Sequence, residues 1–137
     1  MFKKILIPVD LSDNQAQKKA LATAVEMARF HHAELHAVSI GSNLPDPAAR
    51  TETERTTALN ALISDLREQH NIDASAHEIH SVDPGAEMDS LLMQFIEESN
   101  IDLVVMSSHE PGMMEYFFPA HAGYIAAHAK ISVFVVR

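Results

Sequence analysis

The sequence predicts an α/β protein with a single domain, built on an open parallel sheet that carries helices on both faces. Short apolar runs alternate with longer stretches of helical periodicity, in the order β-α-β-α-β-α-β-α-β. Strands that are separated by helices cannot form hairpins, so they pair in parallel through right-handed crossovers. A chain of 137 residues is long enough for one core and too short for two, so residues 1–137 are expected to form one domain.

The first two strands are short apolar runs. Ile5–Val9 contains only apolar residues and one proline, as expected of a strand that is buried on both faces. Asp10 ends this strand and offers an acceptor for the start of a helix. Apolar residues then recur at helical spacing to about Phe30, which predicts the first helix. Leu35–Ile40 is the second predicted strand.

The middle of the chain is predicted to hold a long helix and an edge strand. Apolar residues at helical spacing run from about Ala48 to His70, with charged residues and threonines on the other side. Asn71 is expected to end this helix, because asparagine tolerates the left-handed conformation found at helix C-termini. Residues 74–82 mix polar and apolar side chains, which favours an edge strand.

The last part of the chain is predicted to add two helices and two strands. Asp83-Pro84 starts a helix, with an N-cap acceptor before a proline in the first turn, and this helix continues to about Ser99. Leu103–Met106 is the most apolar strand candidate and is expected near the centre of the sheet. The final helix and strand are predicted at Ala122–Ala129 and Val133–Val136.

The composition argues against several classes of partner. The formal net charge of −9 disfavours nucleic acid, because no basic patch offsets it. No apolar run approaches the length of a membrane span, so we expect no membrane association and a cytoplasmic location. The absence of cysteine excludes a disulfide framework and a thiolate metal site, and it fits a reducing compartment.

Two loops are the expected place for a ligand. In open parallel sheets, ligands bind at the carboxyl ends of the strands, near the point where the strand order switches. The loop after the first strand covers Asp10 to Asn14, and the loop after the fourth covers Ser107 to His121. The sequence therefore predicts a functional site between these two loops.

Four segments of the chain resemble the universal stress protein family: ILIPVDLS at 5–12, VDPGAEM at 82–88, IDLVVMSSH at 101–109 and HAKISVFVVR at 128–137. Together they extend over the whole chain, and the order of elements agrees with the family. The resemblance implies a Rossmann-like parallel sheet with strands in the order 3-2-1-4-5, and a homodimer. In one branch of the family it also implies binding of ATP or AMP.

The nucleotide-binding branch has the pattern G-x2-G-x9-G-[ST] after its fourth strand. Here Ser107 and Glu110 stand at the first two glycine positions, and Pro119-Ala120 replaces the final pair after a spacing of eight residues. His109-Glu110-Pro111 resembles a His-x-Pro subgroup with the same shorter spacing, which usually keeps the Gly-Ser pair. The nucleotide pattern is therefore degenerate in this chain.

These replacements weaken a phosphate loop, which holds anions through backbone N–H groups and a helix N-terminus. Pro119 has no N–H group, and Ala120 has no hydroxyl to donate. Glu110 adds a negative charge, which at about 5 Å from a phosphate and an effective dielectric near 20 costs roughly 3 kcal/mol, about a hundredfold in affinity. We therefore expect no cofactor, with ATP or AMP and Mg²⁺ as the alternative.

Candidate contacts for a nucleotide are Asp10, Val38, Ser107, Ser108 and His109. The resemblance implies that Asp10 contacts ribose or a cation and that the Val38 backbone pairs with adenine. The two serines and His109 would donate hydrogen bonds to phosphate. Each residue also has a structural interpretation: Asp10 begins a helix, Val38 is core, the serines are turn residues and His109 caps a strand end.

Nine histidines raise the question of a metal site. His77 and His80 are three apart in a strand, so their side chains point to opposite faces, and His31-His32 suits a helix C-terminus. The remaining candidates have no partner at ligand spacing: His36, His70, His121 and His128. No metal site is predicted, and no catalytic residue either, because nucleophile-elbow and P-loop motifs are absent from the sequence.

Two apolar segments suggest contacts with other molecules. Residues 113–118 form either a ligand lid or protein-docking patch, or the packed start of a helix. Val133–Val136 is expected to be an apolar edge strand that a second copy of the chain covers.

The sequence thus favours a cytoplasmic, non-enzymatic, homodimeric stress-response binding protein. The alternatives are an ATP- or AMP-binding switch or slow ATP hydrolase, and an adaptor for an unknown protein partner.

Overall fold

Five parallel strands form one sheet in the order β3-β2-β1-β4-β5, in a computed structural model that describes residues 1–10, 15–42, 51–107 and 119–137. The strands are β1 (Lys4–Pro8), β2 (Glu34–Ser42), β3 (Ala74–Ser81), β4 (Leu103–Ser107) and β5 (Ser132–Val136). The helices between them are α1 (Gln15–His31), α2 (Glu52–His70), α3 (Pro84–Glu98) and α4 (Pro119–His128). The predicted α/β Rossmann-like fold class and strand order are confirmed.

The sheet separates two apolar layers. On one face, α1 and α2 pack against the strands, with Ile5 and Leu59 among the buried residues. On the other face, α3 and α4 cover the sheet, and Leu6 and Leu92 belong to that layer. Residues 5–9 are all buried, because successive side chains of the first strand enter the two layers in turn.

The start of α2 corrects the sequence prediction. The helix begins at Glu52, not at about Ala48. Thr51 and Glu54 form a capping box, in which the Glu54 amide donates to Thr51 Oγ1 at 3.3 Å and the Thr51 amide donates to Glu54 Oε2 at 2.8 Å. This reciprocal pair satisfies amides that have no partner within the helix, so it fixes where the helix begins.

The end of α2 lies where the sequence predicts it, whereas the start of α4 does not. Asn71 closes α2 with a φ of 51°, the left-handed cap that the sequence predicts. The last helix, α4, begins at Pro119, earlier than the predicted Ala122. Proline suits the first turn of a helix, because its missing N–H group would have no partner there.

The two edges of the sheet are β3 and β5. The edge position of β3 agrees with its mixed polar and apolar pattern. The interior strand β4 is buried at all five residues, although β1 occupies the centre of the sheet. None of the helices in the described ranges is long and apolar enough to cross a membrane.

A buried ion pair joins α2 to the edge strand β3. Arg55 Nε is 3.1 Å from Glu78 Oε1, and the two side chains are only 11% and 10% exposed. The Thr56 hydroxyl donates to the same carboxylate at 2.5 Å. Gly41 of β2 leaves room for the guanidinium, since a Cβ at this position would lie 2.4 Å from Arg55 Nε.

We expect Gly41→Ala to lower the free energy of unfolding by about 2 kcal/mol, because the new methyl group displaces the buried guanidinium from Glu78. Urea unfolding at neutral pH measures the change. The matched control is Gly123→Ala in α4, where no neighbouring group in the described ranges lies within 4 Å of the added Cβ. Alanine there is expected to raise stability by about 1 kcal/mol. Undiminished stability of Gly41→Ala would contradict the proposed steric role.

Candidate functional site

The carboxyl ends of β1 and β4 lie side by side, because the two strands are neighbours with Leu6 opposite Val104. Asp10 follows β1, and Ser107 is the last residue of β4. We call this edge of the sheet, at the carboxyl ends of β1 and β4, the carboxyl rim. The structure thus brings two of the sequence-predicted site residues to the same place, which is where ligands bind in folds of this class.

Asp10 is held at the carboxyl rim through its backbone. Its amide donates to Gln17 Oε1 at 2.7 Å, which ties the end of the first strand to the first turn of α1. The residue itself is partly exposed. The first described residue of α1 is Gln15, and residues 11–14 lie outside the described ranges, so both predicted roles of Asp10 stay predictions.

Val38 and Ser107 are embedded in the sheet. Val38 is 1% exposed and packs in the layer under α3 and α4. Its carbonyl oxygen accepts a hydrogen bond from the Val9 amide at 2.8 Å, so adenine would have to share that oxygen. The structure supports the core interpretation of Val38, and its contact with adenine stays a prediction. Ser107 is buried opposite Val136 of β5.

The rest of the predicted phosphate loop lies outside the described residues. This applies to Ser108, His109 and Glu110, and to the apolar residues 113–118. The first helical residue after the loop is Pro119. A phosphate loop uses the unpaired N–H groups of a helix N-terminus, and the proline removes one of them.

A carboxylate lies beside the first turn of α4. His121 Nδ1 is 2.7 Å from Asp89 Oδ1 of α3, and the two side chains are 12% and 27% exposed. The sequence predicts no partner for His121 at metal-ligand spacing, and the structure gives it Asp89 as a hydrogen-bond partner. The two residues are 32 positions apart on different helices, so no local pattern in the sequence could have indicated the pair.

A second polar grouping, which we call the histidine cluster, consists of Glu34, His36, Ser75 and His77. His36 Nδ1, Ser75 Oγ and His77 Nε2 each lie 3.1 Å from the other two atoms. His36 Nε2 faces Glu34 Oε2 at 3.3 Å. Burial lowers the pKa of His77 below its ordinary value, and the neighbouring His36 lowers that pKa further.

The histidine cluster gives His36 hydrogen-bond partners that its position in the sequence did not indicate. The register between β2 and β3 pairs His36 with Ser75, which places His77 on the same face two residues further along. His77 and His80 point to opposite faces, as predicted, and His80 Nε2 faces Glu52 at 3.3 Å. Across the described ranges, no three or more His, Cys, Asp or Glu side chains are grouped to hold a metal ion.

Comparisons with known proteins identify the family and the fold. The model of the universal stress protein family matches residues 1–137. The chain is similar to a solved structure of the universal stress protein UspA from Lactobacillus plantarum, with 18% identity, a TM-score of 0.74, and coverage of 99% of this chain and 98% of that one. At this identity the structural similarity shows a shared fold.

Two further solved structures of similar fold contain a nucleotide. One is the universal stress protein from Archaeoglobus fulgidus in complex with dAMP, which is 18% identical with a TM-score of 0.70 and coverage of 99% and 98%. The other is a universal stress protein in complex with cAMP, which is 15% identical with a TM-score of 0.66 and coverage of 99% and 97%.

A double-mutant cycle of Asp89→Ala and His121→Ala is expected to show a coupling energy of about 1–2 kcal/mol, because the hydrogen bond is short, partly buried and made to a charged group. Urea unfolding at pH 7 measures the four stabilities. The matched control is the exposed pair of Glu52 and His80, whose side chains are 59% and 47% exposed. Its coupling is expected to stay below about 0.5 kcal/mol. Equal coupling in both cycles would mean that Asp89 does not anchor α4.

Proposed function

We propose, because the chain belongs to the universal stress protein family, that it is a cytoplasmic, non-enzymatic homodimer that acts in a stress response by binding. Its affinity for nucleotides is proposed to be weak or absent. The family fold supplies a carboxyl rim where a ligand would bind, so the question is whether the residues there suit a phosphate group.

The observation that carries this proposal is the proline at the first position of α4. A phosphate at a helix N-terminus is held by converging backbone N–H groups. Pro119 contributes none, and the sequence offers no hydroxyl at Ala120.

The charge beside this helix also opposes a phosphate. Asp89, bonded to His121, adds a carboxylate next to the first turn of α4. The helix dipole stabilises negative charge near a helix N-terminus. The carboxylate of Asp89 already lies near this end of α4, so it would repel a phosphate bound there. The protein's formal net charge of −9 adds a long-range repulsion to any triphosphate.

The exposed edge of β5 supports a homodimer. Phe134 and Val135 are 44% and 37% exposed on a strand that, among the described residues, has a neighbouring strand on one side only. An uncovered apolar edge strand favours pairing with another chain. A two-fold symmetric contact between two copies of β5 covers both edges at once.

A second candidate function is an ATP- or AMP-binding switch or slow ATP hydrolase. It is favoured by the dAMP and cAMP found in structures of similar fold. In that case Asp10 would hold Mg²⁺ or ribose, while Ser107, Ser108 and His109 would contact phosphates. The donor loss at Pro119 and the carboxylate of Asp89 make these residues a poor match for a triphosphate.

Isothermal titration calorimetry with ATP and AMP, each with Mg²⁺, is expected to show no saturable binding at micromolar nucleotide. The reason is the shortage of donors at the start of α4. The Archaeoglobus fulgidus protein whose structure contains dAMP serves as the positive control with that ligand. Micromolar affinity of the wild-type chain for either nucleotide would overturn the proposal in favour of the switch.

The double variant Pro119→Gly/Ala120→Ser is expected to gain at least about tenfold in affinity, because it restores one N–H group and one hydroxyl. Gly123→Ala, which changes the same helix away from its first turn, is the control and should gain nothing. If the double variant also gains nothing, the missing donors do not explain the weak binding.

Phe134→Glu is expected to convert a dimer into a monomer, because it places like charges opposite each other across the symmetric contact. Sedimentation equilibrium or light scattering after gel filtration measures the mass. The matched control is Phe30→Glu, the same change at an 81% exposed residue of α1, which should leave the dimer intact. A monomeric wild-type protein, or a dimeric Phe134→Glu variant, would refute the β5 interface.

A further inference from the structure

The histidine cluster places three potential metal ligands around one point. His36 Nδ1, Ser75 Oγ and His77 Nε2 form a triangle with sides of 3.1 Å. An ion about 2.1 Å from all three atoms, the usual distance for Zn²⁺ with nitrogen and oxygen ligands, would lie roughly 1 Å out of the plane of the triangle. The three atoms therefore approach one another closely enough to share one ion without a change in the backbone.

Glu34 sets the protonation pattern that a metal site requires. Its carboxylate faces His36 Nε2 at 3.3 Å, so the tautomer with its proton on Nε2 would donate a hydrogen bond to Glu34. The lone pair of His36 then lies on Nδ1, the atom that faces Ser75 and His77. A carboxylate behind a metal-binding histidine is the usual outer partner in such sites, where it fixes the tautomer and makes the imidazole a stronger ligand.

An aromatic ring on α3 lies beside both imidazoles of the histidine cluster. The ring of Phe95 on α3 lies 4.8 Å from the His77 ring and 6.5 Å from the His36 ring, so it forms an apolar wall beside both. Lys4 of β1 lies opposite Glu34 in the sheet, and its Nζ donates to the Ser99 carbonyl oxygen at 3.3 Å.

We propose that His36, His77 and Ser75 bind a divalent transition-metal ion of the Zn²⁺ class, with Glu34 as the outer partner of His36. Imidazole nitrogens select this class over Mg²⁺ and Ca²⁺, which prefer oxygen ligands. A water molecule completes a tetrahedral set. With two imidazoles and one hydroxyl, the affinity is expected to be micromolar, well below that of sites with four strong ligands.

The proposed metal site is separate from the carboxyl rim. Glu34 is the first residue of β2 and Ser75 the second of β3, so the histidine cluster lies toward the amino ends of the strands. Asp10 and Ser107 lie at the opposite ends. The metal proposal therefore does not depend on whether a nucleotide binds, and either proposal can fail without the other. Binding would link β2 to β3, the edge strand of the sheet.

The test is a titration of the full chain, without a polyhistidine tag and after removal of metals with EDTA. Calorimetry with ZnCl₂ is expected to show one equivalent of binding at micromolar affinity. CoCl₂ is expected to give the visible absorption bands of a low-symmetry, four-coordinate nitrogen and oxygen site. Zn²⁺ should also raise the melting temperature, because it binds the folded chain in preference to the unfolded one.

Matched variants assign the binding to the histidine cluster. His77→Gln removes one imidazole and is expected to weaken Zn²⁺ binding by more than tenfold, with loss of the Co²⁺ bands. Glu34→Gln is expected to weaken binding about tenfold, the usual effect of losing an outer partner. His80→Gln, on the same strand but the opposite face, is the control and should match the wild type. Ser75→Ala is a milder ligand variant in case His77→Gln does not fold.

Two outcomes would overturn the proposal. One is the absence of saturable Zn²⁺ binding to the wild-type chain, since the cluster would then be only a hydrogen-bonded network. The other is equal binding by the His77→Gln and His80→Gln variants, since the ion would then bind surface histidines at large. Circular dichroism of each variant confirms that the comparison is made between folded proteins.

Discussion

The parallel alignment of neighbouring strands is the constraint on which both polar groupings of this protein depend. All the carboxyl ends of the strands lie at one side of the sheet, and all the amino ends lie at the other. This alignment brings Asp10 and Ser107 together although they are distant in sequence. The same alignment, through the register of β2 with β3, brings His36 to Ser75 and His77. Neither grouping would survive a slip of one residue, which turns side chains to the other face.

The carboxyl rim illustrates that a fold and the ligand chemistry placed on it have different determinants. The positions of β1, β4 and α4 depend on apolar packing in the two layers of the sheet. Phosphate binding depends on a few backbone donors and on the sign of nearby charge. Pro119 suits the first turn of α4, and the positive end of the helix dipole stabilises the nearby carboxylate of Asp89. Both features help the helix and hinder an anionic ligand.

The sequence predicted those parts of the structure that local patterns control. Alternating apolar runs and helical periodicity identified the nine elements found in the described ranges. Asn71 was identified as a cap because asparagine tolerates that backbone conformation. The capping box of Thr51 and Glu54 was readable in the sequence and was missed. The pairs formed by His36 with His77 and by Asp89 with His121 were not readable. Their partners are 41 and 32 residues apart, and only the strand register and helix packing bring them together.

Hydrogen bonding in the described ranges decides what kind of metal site the histidine cluster can be. Partly buried polar groups destabilise a fold unless they are paired, and no buried side-chain nitrogen or oxygen in those ranges lacks a partner. The cluster is therefore satisfied by its own hydrogen bonds, with His36 shared between Glu34, Ser75 and His77. The apo chain can fold without metal, unlike a zinc finger, whose ligands have no other use. An ion bound here replaces hydrogen bonds that already exist, so its net contribution is small and its occupancy follows the metal concentration. Occupancy that follows the metal concentration is expected of a reversible metal site and not of a structural metal site.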